Sequence, residues 1–113
     1  LMDEIYTNLK NKVDFAIKSG IKIENIIIDP GIGFGKTKED NFEILRRWKE
    51  LKTIGCPVLI GLSRKSLLGM PQATNDEKDI YTLALDSILM NENIDIIRVH
   101  NVKMHKKLLS ILN

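Results

Sequence analysis

Apolar residues follow two rhythms along this chain, and the rhythms alternate. Met2, Ile5, Leu9, Val13 and Ala16 fall three or four apart with charged and amide residues between them, which predicts an amphipathic helix over 2–18 ended by Gly20. Ile26-Ile27-Ile28 breaks that spacing. Three consecutive isoleucines predict a strand over about 25–29, buried on both faces as in a parallel sheet covered by helices. Thr37 or Asp40 can then cap a second helix that carries Ile44, Leu45, Trp48 and Leu51 on one face and stops at Gly55. Trp48 reads as core. Val58-Leu59-Ile60-Gly61 is a second, short strand, followed by a polar run and a loop over 71–75. Asp76 or Asp79 opens a helix whose buried stripe is expected to be Ile80, Leu83, Ala84, Ser87 and Ile88. Residues 94–100 give a third strand and 102–112 a final amphipathic helix, in which His105 is expected at the surface or partly packed.

The order is helix, strand, helix, strand, helix, strand, helix. The strand ends Asp29, Ser63 and His100 stand 34 and 37 residues apart, the period of a βα repeat. Such alternation implies parallel strands with right-handed crossovers, in either a doubly wound sheet or a (β/α) barrel. The barrel is favoured because all three strands finish on polar residues, which in a barrel collect around one rim. Closure takes eight strands and about 250 residues. Residues 1–113 therefore read as the C-terminal part of a single (β/α)8 TIM-barrel domain whose N-terminal part is absent. The open sheet edge is expected to be covered by missing sequence or by another chain.

Composition removes several function classes. Hydrophobic residues make up 43% and charged residues 28%, as in an ordinary globular domain. A net charge of +2, from 17 basic and 15 acidic residues, is too balanced for wholesale nucleic-acid or membrane binding, and 5% aromatics leave little for base stacking. The single Cys56, placed before Pro57 in a strand-like run, reads as a small buried hydrophobe in a reducing compartment. No apolar run approaches the roughly 18 residues of a bilayer span, and no secretory signal opens the chain. A cytoplasmic location is expected.

Chemistry gathers at the three strand ends. The first runs Asp29-Pro-Gly-Ile-Gly-Phe-Gly-Lys36-Thr37, with three glycines at alternate positions that can bring backbone amides close to a ligand. It is not a P-loop, because the required first glycine is Pro30, and not a dinucleotide fingerprint, because the third glycine is replaced by Lys36. Asp29 can accept paired hydrogen bonds from an amidine- or guanidine-like edge, or it can simply cap or turn the chain. The second end, Ser63-Arg64-Lys65-Ser66, combines hydroxyls, cations and a helix start into an anion site, unless Arg64 and Lys65 are only solvated charges. At the third, Arg98 and His100 are two apart on a strand and point the same way, onto a face expected to be buried. Together these ends suit a bipolar ligand, with a donor-rich head on Asp29 and an anionic tail near Arg98 and His100.

Asp29-Pro-Gly-Ile-Gly-Phe-Gly-Lys36, Pro57-Val-Leu-Ile-Gly-Leu-Ser-Arg-Lys-Ser66 and Ile97-Arg-Val-His100 closely resemble, in order and spacing, the last three strand-end motifs of the dihydropteroate synthase family. The resemblance implies a (β/α)8 fold and a transferase of folate biosynthesis. That enzyme joins 6-hydroxymethyl-7,8-dihydropterin diphosphate to 4-aminobenzoate with release of diphosphate, is aided by Mg²⁺, is a target of sulfonamides and works as a homodimer. It further implies that Asp29, Phe34, Gly61 and Lys65 bind the pterin, that Arg64 and Ser66 serve the aminobenzoate, and that Arg98 and His100 hold the diphosphate. Lys65 and Arg98 become the candidate catalytic residues. No direct metal ligand is implied in this chain, although His100 would lie near the Mg²⁺–diphosphate. The family's other site residues lie on earlier strands and on two N-terminal loops, so this chain alone is expected to be incomplete and inactive. Two other readings stay open: a pterin-binding methyltransferase domain, and a non-catalytic pterin-binding half-barrel.

Overall fold

The fold was analysed in a computed structural model, which describes residues 1–65 and 72–112. Ser66 and Pro71 lie outside the described residues. Helix α1, Met2–Lys18, has Asp3 and Glu4 in its first turn and Lys18 in its last, matching the helix dipole. It buries Met2 and Val13, with Ile5, Tyr6 and Leu9 packed beside them, and Gly20 turns the chain at φ +100°.

The first expected strand is much reduced. Residues Ile23–Asn25 form a 3-10 turn, and only one parallel bridge, Ile28 to Val58, follows. It is held by Ile28 N–H donating to Pro57 O at 3.0 Å and Leu59 N–H donating to Ile28 O at 2.8 Å. Nor is the isoleucine run buried on both faces. Ile28 is buried and Ile26 partly so, whereas Ile27 is 54% exposed. Period-two alternation puts Ile27 on the opposite side from its neighbours, and there no described residue covers it.

Helix α2, Lys38–Arg47, uses both of its candidate caps: Thr37 is the N-cap and Asp40 closes the capping box. The chain then tightens into a 3-10 segment, Trp48–Ile54, stopped by Gly55 at φ +98°. Trp48, Leu51 and Ile54 stand three apart, so at three residues per turn they form one line, and all three are buried. Strand β1, Leu59–Ile60, pairs in parallel with β2, Ile96–Ile97, with Leu59 opposite Ile96. The Val58–Ile60 stretch is thus central, with Ile28 on one side and β2 on the other. Val58, Ile60 and Leu62 are fully buried, and Cys56 is buried as expected, which pushes its thiol pKa up.

Helix α3, Asn75–Asn91, corrects two expectations. Its cap is Thr74, in a box with Glu77, and neither Asp76 nor Asp79. Its buried residues are Asp79, Thr82, Asp86 and Leu89, while Ile80 and Ile88, placed in the buried stripe by periodicity, are each 59% exposed. The polar residues win that face because each finds a partner: Asp79 with Arg64, Thr82 with the Arg64 amide, and Asp86 with His105. His105 on α4, Val102–Leu112, is accordingly buried instead of lying at the surface. Its Nε2 sits 2.6 Å from Asp86 Oδ2, and Nδ1–H donates to Asn101 O at 2.8 Å. Burial pushes the Asp86 carboxyl up to about 6, against the pull of His105. Among the described residues, no helix is long and apolar enough to cross a membrane.

Candidate active site at the strand ends

Asp29 follows the bridge residue Ile28, so its carboxylate leaves the sheet at the strand end. Its Oδ1 accepts the Gly31 N–H at 2.8 Å, which fixes the side chain and leaves Oδ2 facing Arg98 Nη1 at 3.6 Å. The turn role and the ligand role of Asp29 are therefore compatible. The glycine loop is less available than its sequence suggests. The Gly31 amide is taken by Asp29 and the Gly33 amide by Asn41 Oδ1 at 2.9 Å, while Lys36 Nζ folds back to donate to Gly31 O and Phe34 O. Those amides hold the loop's own shape, because Asp29 and the buried Asn41 at the start of α2 supply their acceptors.

Lys65 crosses from the end of β1 to this loop. Its Nζ donates to Ile32 O at 2.7 Å and lies 4.8 Å from the centroid of the Phe34 ring. Gly33, at φ +85°, makes room for it, since a Cβ there would stand 3.0 Å from Lys65 Cδ. Partial burial lowers the Lys65 pKa, and Arg98 and Lys36 lower it further against the opposing pull of Asp29. An anion arriving among these cations would relieve that repulsion. Arg98 continues β2 and is anchored by its N–H donating to Ile60 O at 3.1 Å. Its guanidinium lies against Gly61, where a Cβ would come within 2.8 Å of Nη2. His100 Nδ1 is 2.8 Å from Ser63 Oγ, and its backbone N–H donates to the same hydroxyl at 3.2 Å.

Gly61, Ser63, Lys65, Arg98, Val99 and His100 line one cavity of about 160 Å³, and Asp29 borders it through Arg98. Four chemically informative residues, far apart in sequence, thus share one rim. Arg98 and His100 do point the same way, but that face is open: both are exposed, because the cavity mouth lies in front of them. A larger hollow between β2 and α4 is walled chiefly by apolar groups such as Ile97, Val99 and Leu109, and it lacks this convergence of polar side chains.

Arg64 is absent from the cavity lining. Its Nε and Nη2 donate to the two Asp79 oxygens at 2.8 and 3.0 Å, and this pairing holds the Asp79 carboxyl below its usual range despite burial. Its backbone is left-handed, at φ +59°, an unusual state for a residue with a side chain. The amide donates to Thr82 Oγ1 at 3.3 Å, so Asp79 and Thr82 together hold the turn that delivers Lys65. Sequence reasoning missed both. Their three-residue spacing on α3 was the available signal, hidden by the isoleucines beside them. Ser66, expected at the aminobenzoate, lies outside the described residues. Among the described residues, no three His, Cys, Asp or Glu side chains cluster so as to hold a metal ion.

A barrel-type rim carrying a carboxylate, a stacked lysine and an arginine–histidine pair has clear relatives. Residues 1–100 match the pterin binding enzyme family, and the chain belongs to it. More particularly, it is 40% identical over 104 residues to the dihydropteroate synthase of Clostridium beijerinckii, a match covering 90% of this chain and 39% of that protein. The solved Yersinia pestis dihydropteroate synthase superposes with a TM-score of 0.91 at 31% identity, over 99% of this chain and 53% of that one. The Anaplasma phagocytophilum enzyme with bound 6-hydroxymethylpterin-monophosphate gives 0.89 at 37% identity, over 97% and 43%. The fold is that of part of a (β/α)8 barrel, and the chain spans about two fifths of the length of the curated relative.

Proposed function

We propose that this chain supplies the C-terminal strand ends of a dihydropteroate synthase, joining 6-hydroxymethyl-7,8-dihydropterin diphosphate and 4-aminobenzoate to 7,8-dihydropteroate with release of diphosphate. The observation that carries the proposal is the meeting of Lys65, Arg98 and His100 at one cavity, with Asp29 beside it facing Arg98. Asp29 Oδ2 accepts from the amino-pyrimidine edge of the pterin, Lys65 donates to the ring, and Phe34 and Gly61 shape the walls. Arg98 and His100 receive the diphosphate. Ser66 serves the aminobenzoate carboxylate, and Arg64, held by Asp79, supports that loop without touching the ligand.

In the reaction the bond between the pterin methylene carbon and the bridging diphosphate oxygen breaks. Its electron pair leaves on that oxygen, where Arg98 and His100 stabilise the growing charge as the carbon becomes carbocation-like. The aminobenzoate nitrogen then attacks the carbon and loses a proton. Preorganised cations are what this step needs, and a strong base is not. Mg²⁺, when bound, would help to neutralise the leaving diphosphate beside Arg98 and His100; among the described residues no three His, Cys, Asp or Glu side chains cluster to hold it. A methyl-transferring relative would have no diphosphate for the Arg98–His100 pair to hold. The same proposal places residues 1–113 in one pterin-binding barrel domain completed by further βα units, acting as a cytoplasmic homodimer and inhibited by sulfonamides. The test is incubation of the full-length protein, with the βα units that complete the barrel, with both substrates and Mg²⁺. Equal amounts of dihydropteroate and diphosphate are expected, and no product under any substrate ratio would reject the assignment.

A further inference from the structure

We infer that Ser63 is a positioning residue that locks His100 in its Nε2–H tautomer, so that the ring offers a donor, and not a lone pair, to an oxyanion in the cavity. The inference rests on the diphosphate reading of that cavity. Ser63 ends the run after β1 and His100 the run after β2, 37 residues apart, and two contacts tie them. The His100 backbone N–H can only donate, and it donates to Ser63 Oγ at 3.2 Å. The hydroxyl must then place its own hydrogen elsewhere. Ser63 is only 8% exposed, so water is a poor recipient, and among the described residues the acceptor within reach is His100 Nδ1 at 2.8 Å. A neutral imidazole that accepts at Nδ1 carries its proton at Nε2.

The consequence is electrostatic. With Nδ1 satisfied, Nε2–H completes a donor set with the Arg98 guanidinium at the same cavity. The other tautomer would present the Nε2 lone pair to a phosphoryl oxygen and repel it. His105 provides the contrast within the chain: its Nδ1 faces Asn101 O, which can only accept, so that ring carries a proton on Nδ1.

The experiment is nitrogen NMR of the ¹⁵N-histidine-labelled protein, with His100 assigned from the signal missing in His100→Gln, together with titration by inorganic pyrophosphate. In the wild type, His100 should show an unprotonated Nδ1 and a protonated Nε2, and His105 the opposite pattern at Nδ1. Ser63→Ala should give mixed tautomers and weaken pyrophosphate roughly fivefold to tenfold, the worth of one ordinary hydrogen bond. Ser63→Thr, which keeps the hydroxyl, should restore both. A proton on Nδ1 of His100 in the wild type overturns the inference, as does a pattern unmoved by Ser63→Ala. Should pyrophosphate fail to bind the wild type, the diphosphate reading falls, and the tautomer signals still decide the role of Ser63.

Discussion

Two arginine–aspartate contacts flank the strand ends, and they are built in opposite ways. Arg64 and Asp79 are closed: two parallel hydrogen bonds of 2.8 and 3.0 Å to a buried carboxylate, reinforced by Thr82 on the Arg64 amide. Arg98 and Asp29 are open: a single approach of 3.6 Å, with side chains 56% and 36% exposed and one Asp29 oxygen committed to its own loop. The closed pair commits both Asp79 oxygens and one edge of the Arg64 guanidinium to each other, which suits it to holding structure. The open pair keeps most of its capacity, and a ligand with a donor-rich head and an anionic tail can take both partners from each other. Geometry, more than residue type, separates scaffold from site here.

The strongest way to break that comparison is Arg98→Ala. Turnover should fall by at least about a hundredfold, as when a preorganised charge stabiliser is removed, while the urea unfolding midpoint stays where it was. A matching loss of stability would mean that the open pair is scaffold after all. Asp79→Asn should do the reverse, costing about 2 kcal/mol in urea unfolding because a buried, hydrogen-bonded carboxylate is spoiled. It should disturb activity only through a less ordered Lys65. Asp29→Asn should leave stability nearly unchanged and weaken pterin binding by roughly 1 to 3 kcal/mol in calorimetry.

The smallest effect concerns the closed region alone. Asp86 has a folded-state pKa of about 6, above the ordinary value of 3.8, so its contribution favours the fold below about pH 3.8 and is lost as the pH rises through about 6. Asp79, held low, has the opposite sign: its contribution is present at higher pH and lost on acidification. Denaturation of wild type and Asp86→Asn from pH 7 to pH 4 should therefore show the wild type gaining on the variant by on the order of 1 to 2 kcal/mol toward acid. A constant difference would show that burial does not disfavour the Asp86 charge.

The helices were legible because capping and apolar spacing act within a few residues. Thr37 with Asp40, and the stops at Gly20 and Gly55, appear where local chemistry puts them. The strand ends were legible for a related reason: polar residues that terminate apolar runs have few places to go but a rim. What stayed hidden depends on partners remote in sequence. Nothing around Asp79, Thr82 or Asp86 announces Arg64 or His105, and apolar counting therefore turned α3 the wrong way, setting Ile80 and Ile88 inside. Ile27 misled for the same reason, since strand burial depends on what lies across the sheet. Likewise the glycine-rich turn advertised free amides, and only Asn41, from the following helix, reveals that one is taken.

Trp48, the single tryptophan of the sequence, is almost wholly enclosed, and its indole Nε1 finds no hydrogen-bond partner among the described residues. It should therefore fluoresce at short wavelength and shift to the red only when the interior opens. That gives a built-in optical gauge of unfolding that ignores occupancy of the rim, so loss of integrity and loss of ligand affinity can be followed separately in a single sample.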